Sequence, residues 1–255
     1  MNHINLPTEH LKRVLTPLTA FSQAQVNFQS DAVYIEATKK SRAAQVCITV
    51  PSSLFRNLSI TDSKIGICPE NLLSVVQLLD NNLYVDLCID SIDKITIRSD
   101  GLKYETYAID PKYIRNADIG NKEWSENSVC AKVTGANLFR GLNLADKIAT
   151  HCKLEFCPND SSIVLSASGD TDNLKEYVPV DDMHININRP EENAFMKINN
   201  HYPLDYLCEI HELIPDTATV DLSLKQSLLT ISYPIVHNVG NICFTLAESI
   251  NPQDP

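Results

Sequence analysis

Apolar residues recur along this chain in two rhythms. In "TEHLKRVLTPLTAF" (8–21), Leu11, Val14, Leu15 and Leu18 keep the spacing of one helix face, and Thr8 stands where an N-cap belongs. Short alternating stretches follow in "QVNF", "AVYIEA" and "QVCITV", the period of half-buried strands. The helical period returns in "PENLLSVVQLLDNN" (69–82) through Leu72, Val75, Val76 and Leu79, with Pro69 at its start. Then "LYVDLCI", "KITIRS" and "LKYETYAI" alternate again, parted by the turn-forming "DSID" and "SDG".

The second half repeats the plan. "TGANLFRGLNLADKIA" (134–149) predicts a helix with Leu138, Leu142 and Ala145 on one face. "LEFC", "SIVLSAS" and "KEYVPV" read as strands, and "YPLDYLCEIHELIP" (202–215) as a helix with Leu204, Leu207, Ile210 and Leu213 in phase. "ATVDLSL", "LLTISYPI" and "NICFTLAE" close the chain as strands. Even the wording repeats: Val85-Asp86-Leu87 and Val220-Asp221-Leu222 each follow the second helix of their half. Repetition at this period is architecture and predicts two duplicated α+β domains, each with two helices on one face of antiparallel sheet. The polar stretch "RNADIGNKEWSENSVC" (115–130) predicts the link, which sets a first domain at 1–115, a connector at 116–130 and a second domain at 131–255.

Composition fits two ordinary domains: 255 residues, 44% hydrophobic and 21% charged. No apolar run has the length of a membrane span, and the first residues lack a signal-peptide core, so the expected location is intracellular with no membrane partner. Eight scattered cysteines without a C-x-x-C pair read as reduced thiols packed like small hydrophobes. The net charge of −11 argues against a nucleic-acid partner only if the cations are dispersed, so their placement decides.

Catalytic patterns are missing. Glycine is scarce, and neither G-x-G-x-x-G nor a Walker A loop occurs, so no cofactor is expected. "HEL" (211–213) does not become a zinc motif, because Pro215 stands where the second histidine would be. Asp86, Asp90 and Asp93 could be read as an acidic, metal-dependent nuclease cluster, but Asp90 and Asp93 flank a hairpin turn where aspartate serves the backbone. "GDTDN" (169–173) lacks the remaining ligands of a calcium loop. The residues point to a binding protein, not an enzyme, and no metal site is expected.

Several segments, in order, resemble one family. "DGLKYETYAIDPKYIR" (100–115) resembles the Gly-Leu strand ending in Ile-Asp-Pro and Ile-Arg of the archaeal and eukaryotic DNA sliding clamps, proliferating cell nuclear antigen (PCNA). "EHLKRVLTPL" (9–18), "GDTDN", "YPLDYLCEI" (202–210) and "FTLAESI" (244–250) are similar to the first clamp helix, a clamp turn, the Leu-x-Tyr-Leu helix and the clamp ending. The resemblance implies a homotrimeric ring of pseudo-sixfold symmetry, with helices lining a central hole and sheets outside. It implies non-specific binding of double-stranded DNA through the hole. Its implied partners are a clamp loader, DNA polymerase and other replication and repair enzymes carrying a PCNA-interacting motif. Such a processivity factor would be nucleoid-associated, or nuclear in a eukaryote.

The resemblance also assigns residues. Subunit contacts fall on Lys103, Tyr104, Glu105, Thr106 and Tyr107 of one copy and Leu174, Lys175, Glu176 and Tyr177 of the next. Phosphate contacts fall on Lys12, Arg13, Arg140 and Lys147 of the helices, with Lys39 and Lys40 of the turn "TKKSR" beside them. The partner-peptide pocket falls on Ala43, Gln45, Ile119, Trp124 and Thr245, Leu246, Ala247, Glu248. Departures accompany the matches. The second helix of the first half has no lysine, that of the second half carries Asp205, Glu209 and Glu212, Pro17 interrupts the first helix, and Glu248 replaces a proline of the family ending. Thin cations and an altered tail leave a second reading, a divergent subunit of a heterotrimeric clamp.

Overall fold

The computed structural model describes residues 2–91, 94–114, 128–157, 160–186, 198–225 and 227–249. By internal contacts the chain divides into unit 1, residues 1–117 and 234–243, and unit 2, residues 118–233 and 244–255.

The first pass of the plan runs β1 (Asn2–Pro7), α1 (Thr8–Leu15), β2 (Ala24–Phe28), β3 (Ala32–Thr38), β4 (Ala44–Pro51), β5 (Asn57–Ser59), β6 (Ser63–Ile67), α2 (Pro69–Val76), β7 (Tyr84–Ser91), β8 (Lys94–Ser99) and β9 (Leu102–Tyr107). The second runs β10 (Ser128–Thr134), α3 (Leu142–Ile148), β11 (His151–Cys157), β12 (Ser162–Ser168), β13 (Asn173–Pro179), β14 (Asp182–Asn186), β15 (Ile198–Pro203), α4 (Leu204–Leu213), β16 (Thr219–Lys225), β17 (Leu228–Tyr233) and β18 (Asn241–Ala247). Element for element the two passes coincide. Their pairings coincide as well. In unit 1 the strands run β5-β1-β7-β8-β9 and β4-β3-β2-β6; in unit 2, β14-β10-β16-β17 and β13-β12-β11-β15. Each unit is α+β and antiparallel, as its residue pattern predicts.

The repeated Val-Asp-Leu now has a place. In β7, Val85 is fully buried and Asp86 lies opposite Asn5 of β1. In β16, Val220 is fully buried and Asp221 lies opposite Lys132 of β10. Both aspartates point away from the core and pair across to the first strand of their own unit: Asp86 accepts from Asn5 Nδ2 at 2.8 Å, and Asp221 lies 3.7 Å from Lys132 Nζ.

The helices are shorter than their patterns predict. α1 stops at Leu15, because Pro17 lacks an N–H and crowds the preceding turn; the chain continues as a 3-10 turn, Thr16–Ala20, that still buries Leu18. Thr8 is the first helical residue rather than the cap, and its hydroxyl donates to Leu83 O at 2.9 Å. α2 begins at Pro69 as expected and ends at Val76. α3 begins at Leu142, not near 134. The N–H groups of Gly135 and Ala136 donate to Ala218 O (2.8 Å) and Asp216 O (2.9 Å), and Phe139 adopts φ 45°, so only a short 3-10 turn, Gly135–Asn137, forms there and no α-helix. Tyr202 and Pro203 belong to β15, and α4 starts at Leu204. Strands β1, β5, β6, β14 and β15 lie where the sequence reading predicts no strand; β1 does alternate, but over only two aliphatic positions, Ile4 and Leu6. Ser128–Cys130, placed in the polar connector by composition, already belong to β10.

In unit 1 both sheets and both helices converge on a fully apolar core, with Ile4, Leu87 and Ile97 on one side, Val26, Ile35 and Ile65 on the other and Leu11 and Leu72 from the helices. A cavity of about 80 Å³ remains among them. Among the described residues no helix is long and apolar enough to cross a membrane.

Candidate functional site

The helical cations differ in how free they are. Lys12, in the last turn of α1, is half-buried and donates to Leu79 O (2.8 Å) and Asn81 Oδ1 (2.7 Å), so its ammonium ties α1 to the end of α2. That carbonyl end attracts positive charge. Arg13 is exposed; it meets Glu9 Oε1 at 2.5 Å and donates to Ile235 O at 3.2 Å. Arg140 lies in the turn before α3, exposed, donating to Ala136 O at 3.0 Å and to Asn137 Oδ1. Lys147, in the last turn of α3, is exposed and has no partner among the described residues. Lys39 and Lys40 share no element with these four; they sit in the β3–β4 turn.

The neighbouring helix face is acidic. Cys208 of α4 is surrounded by Asp146 of α3 and by Glu212 and Asp205 of its own helix; burial first, and then these carboxylates, push its thiol pKa up. α2 carries no lysine or arginine at all.

Of the strands that end a sheet among the described residues, two carry an exposed tyrosine, β9 and β13. Among the described residues β9 has only β8 as a strand partner, and β13 only β12. On β9, Lys103, Glu105 and Tyr107 are exposed, Tyr107 to 80%, while Tyr104 and Thr106 are half-buried on the other face. Glu105 is held by Lys103 (2.7 Å) and Lys94 (2.9 Å); their hydrogen bonds, Lys103 first, draw its carboxyl pKa down to about 2. On β13, Lys175 and Tyr177 are exposed, with the ammonium 5.0 Å from the ring centre. Leu174 and Glu176 turn the other way, and Glu176 Oε2 accepts from the N–H of Gly141, the residue just before α3, at 2.9 Å. Periodicity does not reveal that cap, because it joins residues far apart in sequence.

The proposed pocket residues fall on several elements. Ala43 ends the turn before β4 and Gln45 lies at the start of β4 in unit 1, Ala43 half-buried and Gln45 buried. Ile119 and Trp124 lie outside the described residues. Thr245 and Leu246 are buried in β18, so Leu246, at 0% exposure, offers no surface to a peptide. Glu248 N–H donates to Ser227 O (2.7 Å) and Ser249 N–H to His201 O (2.9 Å), which fixes the tail against unit 2.

Two of the three aspartates in the acidic reading are described. Asp86 is bound by Asn5 and by His3 Nε2 (3.0 Å), Asp90 is exposed, and Asp93 lies outside the described residues. Among the described residues no three histidine, cysteine, aspartate or glutamate groups are placed to hold a metal ion. The nuclease reading therefore finds no supporting geometry among the described residues.

No protein-family model matches the chain. Curated relatives do. The DNA polymerase sliding clamp of Natronomonas pharaonis is 24% identical over 233 residues, covering 89% of this chain and 90% of that protein. That of Methanosarcina mazei is 25% identical over 247 residues, covering 95% and 96%. Among solved structures, A. fulgidus PCNA, described with the C-terminal region of FEN-1 bound, superposes with a TM-score of 0.82 at 16% identity over 99% of this chain and 100% of that one. PCNA from Thermococcus kodakaraensis gives 0.82 at 18% over 98% and 100%. Matched nearly end to end in both comparisons, this chain is similar in sequence to archaeal DNA polymerase sliding clamps and shares the fold of PCNA.

Proposed function

We propose that this chain is a replication clamp that closes with two further copies into a ring, surrounds double-stranded DNA without sequence choice, and tethers polymerase and other DNA enzymes. One observation carries the ring: of the edge strands among the described residues, β9 in the first unit and β13 in the second each show an exposed tyrosine, Tyr107 and Tyr177. Bare edges invite pairing, and joining β9 of one copy to β13 of the next is a head-to-tail contact that closes after a fixed number of copies. Lys103, Glu105, Tyr107, Lys175 and Tyr177 would meet across it. Glu176 would act from behind, holding α3.

Arg13, Arg140 and Lys147 are the phosphate contacts this reading needs. Lys12 contributes its charge from a fixed position at the α1–α2 junction. Long cationic side chains without base-edge readout suit sliding. The clamp itself is non-catalytic; a loader opens it, and partners dock through a PCNA-interacting motif near Ala43, Gln45 and the tail at Ala247 and Glu248. Its place of work is intracellular, at the nucleoid.

The test combines size and activity. Light scattering is expected to give a trimer for the purified chain. Arg140→Glu with Lys147→Glu is expected to leave the trimer intact and abolish stimulation of a polymerase on primed circular DNA. This pair is preferred to Lys12→Glu, which would set a carboxylate against Leu79 O and disturb the fold. Unchanged stimulation would reject the phosphate assignment. The acidic face around Cys208 favours a second reading, one subunit of a ring built from different chains; a chain that stays monomeric when concentrated would select it.

A further inference from the structure

The turn between β3 and β4 concentrates positive charge. Lys39, Lys40 and Arg42 fill three of four consecutive positions in a chain of net charge −11. The turn is framed by its own backbone. Lys39 N–H donates to Ala44 O and Arg42 N–H to Lys39 O, both at 2.9 Å, while Ser41 Oγ accepts from Ala43 N–H at 3.3 Å. Arg42 sits at φ 61°. Lys39 is half-buried, its ammonium 5.4 Å from the centre of the Phe21 ring. Lys40 and Arg42 are exposed, and neither cationic head has a partner among the described residues. A fixed frame thus presents two unpaired cations directly before Ala43 and Gln45.

The duplication shows that this charge is not a property of the repeat. The corresponding turn of unit 2, between β12 and β13, holds exposed Asp170 and Asp172 instead. A track along DNA phosphates would need both turns basic, since each unit would present its turn to the same polyanion. A charge confined to one turn per chain, next to the residues assigned to partner docking, suits recognition of a discrete acidic ligand.

We propose that the β3–β4 turn selects partner proteins whose docking segment is flanked by carboxylates, which pair with Lys40 and Arg42. The proposal rests on the partner-docking reading above and names the chemistry of the partner. Lys39 serves as the packed foot of the turn on Phe21.

The test uses the full chain and two fluorescein-labelled peptides. Both carry a glutamine followed by two aromatics; one is flanked by aspartates and glutamates, the other by serines. Fluorescence anisotropy is expected to show the acid-flanked peptide binding about fivefold tighter at low salt, the size that two solvent-exposed ion pairs supply. That advantage should vanish at about 0.5 M salt. Lys40→Glu with Arg42→Glu should abolish or reverse it, leaving the serine-flanked affinity and the thermal melt unchanged. Equal binding of the two peptides to the wild-type chain overturns the inference while the docking reading stands. Failure of both peptides to bind overturns both. A variant that loses affinity for a labelled DNA duplex but keeps the peptide ratio overturns it in favour of a phosphate contact.

Discussion

Glu105 shows what one exposed residue can report. Its ordinary pKa is 4.5, and the ammonium groups of Lys103 and Lys94 draw it down to about 2 in the folded chain. Folding therefore favours the ionised carboxylate. The stability this adds is complete above pH 4.5 and is withdrawn as pH falls toward 2. Denaturation of the wild type and Glu105→Gln should show a stability difference that is constant at neutral pH and shrinks across that acid window. A difference that ignores pH would mean the two lysines do not hold the carboxylate in solution. The alternation of "LKYETY" made Glu105 legible as an outward residue, but not its two lysines. Lys103 is a near neighbour along β9, whereas Lys94 reaches it only through the β8–β9 pairing. Gly66 was less legible still. A Cβ there would meet Ile109 O at 2.7 Å and the Ile114 side chain, and its backbone exchanges hydrogen bonds with Ile109 at 2.7 and 2.8 Å. Nothing in "SKIGI" marks a glycine required by a segment so far downstream.

Among the elements, helix existence was legible and helix extent was not. Leu18, Leu79 and Leu138 keep the apolar rhythm and are buried, yet all three lie outside the α-helices. Tight turns can hold an apolar side chain inward as well as a helix does, so periodicity overruns helix ends. α3 makes the point energetically. Its seven residues are too few to be stable alone, and its first N–H groups need outside acceptors. Glu176 of β13 supplies one by accepting from Gly141, and its negative charge also suits the helix N-terminus. Glu176→Ala should lower the stability of unit 2 by about 1 kcal/mol, with Glu176→Gln keeping much of it. Hydrogen exchange should quicken in α3 of the alanine variant and remain unchanged in α1. Equal exchange in α3 would show that packing of Leu142 and Ala145, not the cap, holds the helix.

For the whole molecule, the duplication was legible because the repeated Val-Asp-Leu and the recurring order of elements survive divergence, whereas the bare edges of β9 and β13 depend on pairings no single segment contains. Those edges set the final prediction. Three copies of net charge −11 repel one another, and the repulsion is screened within about 10 Å at 0.1 M salt. Glu105 is already held within its own chain by Lys103 and Lys94, so the proposed seam rests mainly on backbone hydrogen bonds and tyrosine surface, which salt does not weaken. Ring and DNA should therefore respond oppositely. Raising salt from about 0.05 to 0.5 M should increase the trimer fraction in sedimentation at fixed low concentration, because self-repulsion falls. Over the same range, retention on linear duplex should drop, because each phosphate contact releases a counterion that added salt restores. A trimer that falls apart as salt rises would instead show that ion pairs among Lys103, Glu105 and Lys175 outweigh the net repulsion, moving the main attraction of the seam from its tyrosines to its charges.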